Sequence, residues 1–399
     1  MKILFITTKS PLPMNDGHSL RSFNLLKAVA QQHDVTLLSF VKFPIEYEYK
    51  KELEKLCHSV TQFTVPDNGS RVRAAFSACL NIVSTQPYVA MKYNQQSMRE
   101  EIRRLLRDGK FDLVHLDMLP LGVFLNDITI PVIINEHNVE SALLKRRCES
   151  IANPIARWYF TVQQRRLEAF ETHVVGRVSH VLACSEEDRI ILQTMAPGQR
   201  TSVVPNGVDT DFYQTHGAHS EDPNKLVFVG GMNWFPNRDA VTWFDEAILP
   251  ELMKREPDIH LDVVGKTVDG MVNQHEHQIT MHGFVDDTRP YIEQAAVAIV
   301  PIRIGGGTRL KVLEALSMGK AIVSTAVGVE GIKVTHRKDV LIADTPEEFV
   351  SAIVELQHNA AQRAQLGNAA RELVCNTYRW DIIGNNLLEV YKDVTGKTV

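Results

Sequence analysis

Pro301–Thr325 reads PIRIGGGTRLKVLEALSMGKAIVST, and the order of its residues decides the fold. An apolar run ends, Gly305, Gly306 and Gly307 turn the chain, an amphipathic helix starts near Thr308 and stops near Gly319, and a second apolar run follows. Strand, tight turn, helix and strand make the repeating unit of a parallel sheet. Ligands of such sheets bind beyond the carboxyl ends of the strands, where helix N-termini point free N–H groups outward. Glycine lets the backbone approach a ligand closely there. Arg309 and Lys311 add cationic charge suited to a phosphate or diphosphate. Thr308, Lys311 and Glu314 are three apart and share one helical stripe. The plainer alternative is a turn followed by a surface Lys311–Glu314 pair; TRLKVLEA placed directly after a buried strand favours the phosphate reading.

Outward from this unit, the same alternation fills the chain. Short apolar runs start at Lys2, Val35, Val60, Leu113, Pro131, His180 and Thr201, and a second series starts at Lys225, His260, Ile279, Val297, Ala321 and Asp339. Most are separated by segments of helical spacing, which predicts parallel sheets with helices on both faces. The polar stretch QTHGAHSEDPNK from Gln214 reads as a linker. The expected organisation is therefore a domain over 1–213, a linker over 214–224, a second domain over 225–378, and a final helical segment over 379–399. In that segment Ile382, Ile383, Leu387, Leu388, Val390 and Tyr391 are available for a buried stripe. A length of 399 residues suits two such domains. With 43 Lys and Arg against 48 Asp and Glu, the global basic excess of a general nucleic-acid binder is absent. No apolar run approaches the roughly 18 residues of a spanning helix. Five scattered cysteines without a C-x-x-C pair fit a reducing compartment, so the expected location is the cytoplasm.

Two nucleotide motifs fail on the same loops. The GKT at Gly265–Thr267 has His260 where a Walker loop needs its first glycine, and Gly305 with Gly307 is followed by Leu310 where a dinucleotide fingerprint needs its third. In the first half, PLPMNDGHSLR places Gly17 at the head of a helix beginning near His18 or Ser19, a second phosphate-facing start or a simple turn. The NEHNVES loop offers His137 for hydrogen bonding or polarisation, with a structural histidine as the competing reading. Metal ligation needs more ligands than that loop supplies by itself.

The order of PLPMNDGHSLR, NEHNVES, VVPNGVDTDFY, VFVGGMNWFPNRDA, HGFVDD and GGGTRLKVLEALSMGKAIVST resembles bacterial glycosyltransferase family 4, retaining nucleotide-sugar enzymes of the GT-B fold. The resemblance implies an α/β protein of two Rossmann-like domains facing a central cleft. It implies a donor held mostly by the C-terminal domain and a last helix that crosses back to the N-terminal one. By the same resemblance, the Gly17 loop contacts the donor diphosphate, His137 lies near the transferred sugar, the backbone at Phe284 and Val285 contacts the base, and Glu314 holds the ribose. No metal or other cofactor is implied, and transfer retains the anomeric configuration. The expected partners are a nucleotide sugar and a glycan or lipid-linked acceptor of bacterial surface polysaccharide or glycolipid synthesis.

The sequence departs from the family pattern twice. The position eight before Glu314, where the family often has a second glutamate, is Gly306, so backbone N–H groups of the glycine run are expected to serve the sugar. After Gly230 and Gly231 stand Met232, Asn233 and Trp234 where a diphosphate-binding arginine and lysine are usual. Arg309 and Lys311 are expected to supply that charge instead. The 141–177 segment holds seven Lys or Arg, three Glu and a Trp158–Tyr159–Phe160 cluster. It reads first as a partly buried helix with a solvated charged face, and second as a peripheral contact with an anionic membrane. Two other functions stay open here: a nucleotide-sugar epimerase or similar enzyme of this fold, and a non-catalytic sugar-nucleotide-binding subunit.

Overall fold

The computed structural model describes residues 1–42, 45–65, 81, 84, 86–151, 153–215, 217, 219–268, 274–305 and 309–397. The chain divides into two compact units, one formed by Met1–Pro205 with Ile383–Val399 and the other by Asn206–Ile382.

The first unit is built on seven strands: β1 (Lys2–Thr7), β2 (Asp34–Val41), β3 (Ser59–Thr64), β4 (Leu113–Asp117), β5 (Val132–Asn135), β6 (His180–Ala183) and β7 (Thr201–Val203). The sheet order is β3-β2-β1-β4-β5-β6-β7, and every pairing is parallel. The second unit holds β8 (Asp222–Val229), β9 (His260–Val264), β10 (Ile279–Gly283), β11 (Ala295–Val300), β12 (Ile322–Ser324) and β13 (Leu341–Ile342), again all parallel, in the order β10-β9-β8-β11-β12-β13. Each apolar run identified in the sequence is one of these strands. The central strands are apolar throughout because they are buried on both faces, as at Ile3, Leu4, Phe5 and Ile6.

In both sheets the chain adds strands on one side of the first strand and then on the other. The loops after β1 and β4, and those after β8 and β11, therefore diverge and leave a crevice at the carboxyl edge of each sheet.

The boundary between the units falls at Pro205/Asn206 and not within 214–224. Val208 N–H already donates to Tyr378 O at 2.8 Å, Ser317 Oγ donates to Tyr213 O at 2.7 Å, and β8 begins at Asp222, inside the stretch read as a linker. The return point is likewise Ile382/Ile383 rather than 378/379. The Trp380–Thr395 helix buries Ile383, Gly384, Leu387, Leu388, Val390 and Tyr391, and Tyr391 hydroxyl meets His115 Nδ1 at 2.7 Å. Ile382 is only partly buried, one residue off the stripe.

The Leu310–Ser317 helix stops at Met318, followed by Gly319 with φ +65°. It packs against Ala360–Thr377, where a Cβ on Gly367 would lie 1.9 Å from Gly319 O. Only a residue without a side chain fits there. Gly367→Ala should destabilise the protein by about 1–3 kcal/mol through overpacking, measured by urea unfolding; an unchanged midpoint would show that the two helices can part freely.

Candidate functional site

At the crevice of the second sheet, Gly230 and Gly231 follow β8, and Gly305 follows β11 with φ +138°. The neighbouring turns are tied to them through the backbone. Gly230 N–H donates to Val264 O at 2.7 Å, Gly265 N–H to Gly283 O at 2.9 Å, and a Cβ on Gly265 would stand 2.5 Å from Gly230 O. The carboxyl ends of β8, β9 and β10 thus form one ledge of exposed backbone. Phe284 continues it with a side chain 77% exposed, whereas Val285 packs against the core.

The Leu310–Ser317 helix supplies the charge. Arg309 is its N-cap residue, not part of its first turn as the sequence suggested, and its guanidinium folds over Gly305, where a Cβ would come within 2.9 Å of Nη2. Lys311 Nζ donates to Asn237 Oδ1 at 2.6 Å and lies 4.4 Å from the centre of the Phe228 ring. Asn237 Nδ2 in turn donates to Gly231 O at 2.8 Å. A Cβ on Gly230 would be 2.8 Å from Lys311 Nζ. Residues 230–234 after β8 hold no cation; Arg238 of the following helix donates to Met232 O at 2.8 Å, and the Lys311 ammonium reaches the loop from the helix after β11.

Desolvation, aided by Arg309, lowers the Lys311 pKa to about 7, and burial raises that of Glu314 to about 7. The Tyr213 hydroxyl hydrogen-bonds the Glu314 carboxylate and partly offsets that rise. Gly306, Gly307 and Thr308 lie outside the described residues. Gly231, Arg309, Lys311 and Glu314 are brought to one crevice, with Phe284 and Val285 at the far end of its ledge.

Gly17 and His137 belong to the first unit. Gly17 opens the Gly17–Ala30 helix, but Asp16 caps it: its carboxylate accepts from Ser19 N–H at 2.9 Å and pairs with Lys9 at 2.6 Å. His137 follows β5, and its Nε2 lies 2.8 Å from Asp117 Oδ1 at the end of β4. Asp117 is fully buried. Asn135 Nδ2 donates to its Oδ1 at 2.7 Å, and Ser22 Oγ donates to its Oδ2. Arg21 clamps Asn135 Oδ1 at 2.7 Å while donating to Val204 O at 2.7 Å and Pro205 O at 2.9 Å. His18, one residue past Gly17, places Nε2 3.8 Å from Asp117 Oδ2 and its ring edge-on to His137 at 4.7 Å.

Burial opposes ionisation of Asp117, but His137 and then His18 outweigh it and hold the carboxyl well below its ordinary range. Desolvation, reinforced by His137, lowers His18 to about 4, so His18 is neutral at pH 7. Beside His137, burial and the nearby Glu171 and Glu140 push the Glu136 carboxyl well up.

Sequence reading missed Asp117, His18, Ser22, Arg21 and Asn135 in the first unit, and Tyr213 and Asn237 in the second. Asp117 did carry a signal, a carboxylate closing the buried strand LVHLD. Asp117→Ala should cost about 2–4 kcal/mol, because Asn135, Ser22 and His137 lose a buried charged acceptor. Denaturant unfolding checks this, and Asp117→Asn should cost less. Since the folded carboxyl titrates below its unfolded value, its contribution is complete above about pH 4 and is lost only as the pH falls further.

Comparisons with known proteins give the arrangement a context. A model described as Glycosyltransferase Family 4 matches residues 46–212, and one described as Glycosyl transferases group 1 matches residues 223–359. A 44.6 kDa protein in the cps region of Klebsiella pneumoniae is 21% identical over 397 residues, covering 94% of this chain and 96% of the relative. Phosphatidyl-myo-inositol mannosyltransferase of Mycolicibacterium smegmatis is 22% identical over 79% of this chain and 82% of its own. The crystal structure of Anabaena HepE in complex with UDP superimposes with a TM-score of 0.67 at 15% identity, covering 98% of this chain and all of that one.

Proposed function

The chain belongs to the GT-B glycosyltransferases that join a family 4 domain to a group 1 domain, and from that premise we propose that it moves a sugar from a nucleotide-diphosphate sugar to a glycan or lipid-linked acceptor with retention of configuration and without a metal. The observation that carries the donor reading is the Lys311–Asn237–Gly231 chain, which brings an ammonium to the glycines after β8. The UDP complex of the Anabaena protein supports a nucleotide donor, and the cps-region relative and the mannosyltransferase support surface polysaccharide or glycolipid synthesis.

In this reading the diphosphate lies against the backbone of Gly230 and Gly231 and is neutralised by Lys311 and Arg309, Arg309 as the two-pronged donor. The glycine run at Gly306 and Gly307 and the hydroxyl of Thr308 serve the sugar and phosphate. Glu314 accepts from the ribose hydroxyls, and the backbone at Phe284 and Val285 meets the base. His137, held by Asp117, polarises the transferred sugar, with the Gly17 turn on the donor phosphate side. Negative charge that grows on the leaving diphosphate as the sugar turns cation-like is met by groups already in place, so stabilisation costs no reorganisation. The leaving oxygen takes the acceptor's proton.

A thermal-shift series with UDP, GDP, CDP and ADP sugars tests the donor site. One nucleotide class should raise the melting temperature, Glu314→Ala should abolish the rise, and Arg309→Ala should weaken binding by about tenfold or more, as expected for loss of a charge-assisted bond. No rise with any donor, or full affinity in Arg309→Ala, would remove the assignment. Lys311 adds a pH signature: anion binding favours its protonated form, and since Glu314→Gln removes a charge that raises the Lys311 pKa, donor affinity in that variant should already be falling as pH rises through about 7. Calorimetry at pH 6.5 and 8.5 reads it, and a flat profile would refute the Lys311 contact.

Peripheral membrane contact is a further part of the reading. Among the described residues no helix is long and apolar enough to cross a membrane. The Pro154–Val175 helix buries Leu167, Val174 and Val175 but leaves Ile155 and Trp158 77% and 58% exposed beside Arg157. Flotation with anionic liposomes should recover the protein and lose it on Trp158→Ser; absence from the lipid fraction would exclude the contact.

A further inference from the structure

The first unit carries a cluster whose chemistry exceeds a hydrogen-bonded histidine. His18, Asp117 and His137 come from three elements: the helix after β1, the end of β4 and the loop after β5. Each offers a ligand atom, and these atoms lie within 4.8 Å of one another. His18 Nε2 is shielded from solvent and has no hydrogen-bond partner among the described residues. The ion pairs of Asp117 found there are with these two histidines, so its buried negative charge has no permanent cation in contact.

We propose that His18 Nε2, His137 Nε2 and Asp117 form a binding site for a divalent transition metal, Zn2+ foremost. Two imidazoles and one carboxylate are the donor set of zinc and its first-row neighbours, while magnesium and calcium prefer oxygen. Tetrahedral zinc with bonds of about 2.0–2.1 Å holds its donors about 3.3 Å apart. The separations here are 2.8 Å from His137 Nε2 to Asp117 Oδ1 and 3.8 Å from His18 Nε2 to Asp117 Oδ2, with all three ligand atoms within 4.8 Å of one another, so the imidazoles need only draw in on the carboxylate for a metal to seat. The supporting groups are also present. Asn135 and Ser22 fix the carboxylate, and Arg21 fixes Asn135, which is the kind of outer layer that orients metal ligands. Three protein ligands leave a fourth position for water.

The consequence for transfer rests on the function proposed above. A metal that binds His137 withdraws it from the sugar, so zinc at this position is an inhibitor of a reaction that itself needs no metal.

Equilibrium dialysis of the full chain against Zn2+ alone, without donor or acceptor, tests the site. Wild type should retain one zinc per chain, and Co2+ in its place should show the visible absorption of a tetrahedral ion. Asn135→Ala should weaken binding by about 10- to 100-fold, and His18→Ala, at a side chain that is 23% exposed, should weaken it further. His358→Ala, an exposed histidine paired with Glu256 in the second unit, should leave it unchanged. No zinc on wild type, or equal zinc on wild type and His18→Ala, overturns the proposal. Zinc should also slow transfer by wild type and spare His18→Ala; zinc bound at His18 with an undiminished rate would leave the metal site standing and remove His137 from the reaction.

Discussion

Everything at the two candidate sites depends on one topological constraint. A parallel sheet that grows first to one side of its initial strand and then to the other must part its loops between the two central strands. In the first sheet those strands are β1 and β4, and in the second β8 and β11. His18 and Asp117 stand at the first parting, and Gly230, Gly305 and Lys311 at the second. The fold does not choose the chemistry, but it decides where polar groups can converge without breaking a ladder of buried backbone bonds.

The two crevices handle charge differently. In the second unit, cation and carboxylate are desolvated near one another, and both Lys311 and Glu314 are drawn toward neutrality. In the proposed donor reading, an incoming dianion partners Lys311 and holds it protonated. In the first unit the buried carboxylate accepts from Asn135 and Ser22 and meets His137, and His18, which burial lowers to about 4, borders it. That arrangement favours a positive charge beside Asp117. The same physics thus makes one crevice ready for an anion and the other for a cation.

Glycine has a different task at each position. Gly230 makes room for an ammonium, Gly265 for the backbone of Gly230, and Gly367 for the turn at Gly319 that ends the Leu310–Ser317 helix. The last of these lies away from the chemistry, yet it positions the helix that bears Lys311 and Glu314. A site built from loop backbone needs such close approaches beneath it.

All thirteen strands were legible in the sequence: burial on both faces writes a continuous apolar run in central strands such as β1, β4 and β11, and the partly exposed β3, β7 and β10 still carry β-branched residues between turn signals. The Leu310–Ser317 helix after β11 and the place of His137 after β5 were legible as well, since strand ends followed by glycine or by polar loops mark the carboxyl edge. The unit boundaries were not: Gly207, Val208 and Tyr213 look like loop residues, and only packing against Trp380, Tyr378 and Ser317 assigns them to the second unit. Nor could spacing reveal that Asn237 holds Lys311, 74 positions away, or that Asp117 stands between His18 and His137. Periodicity reports how each residue meets its local neighbours, whereas these partners are brought together by strand order, and strand order is a property of the folded sheet.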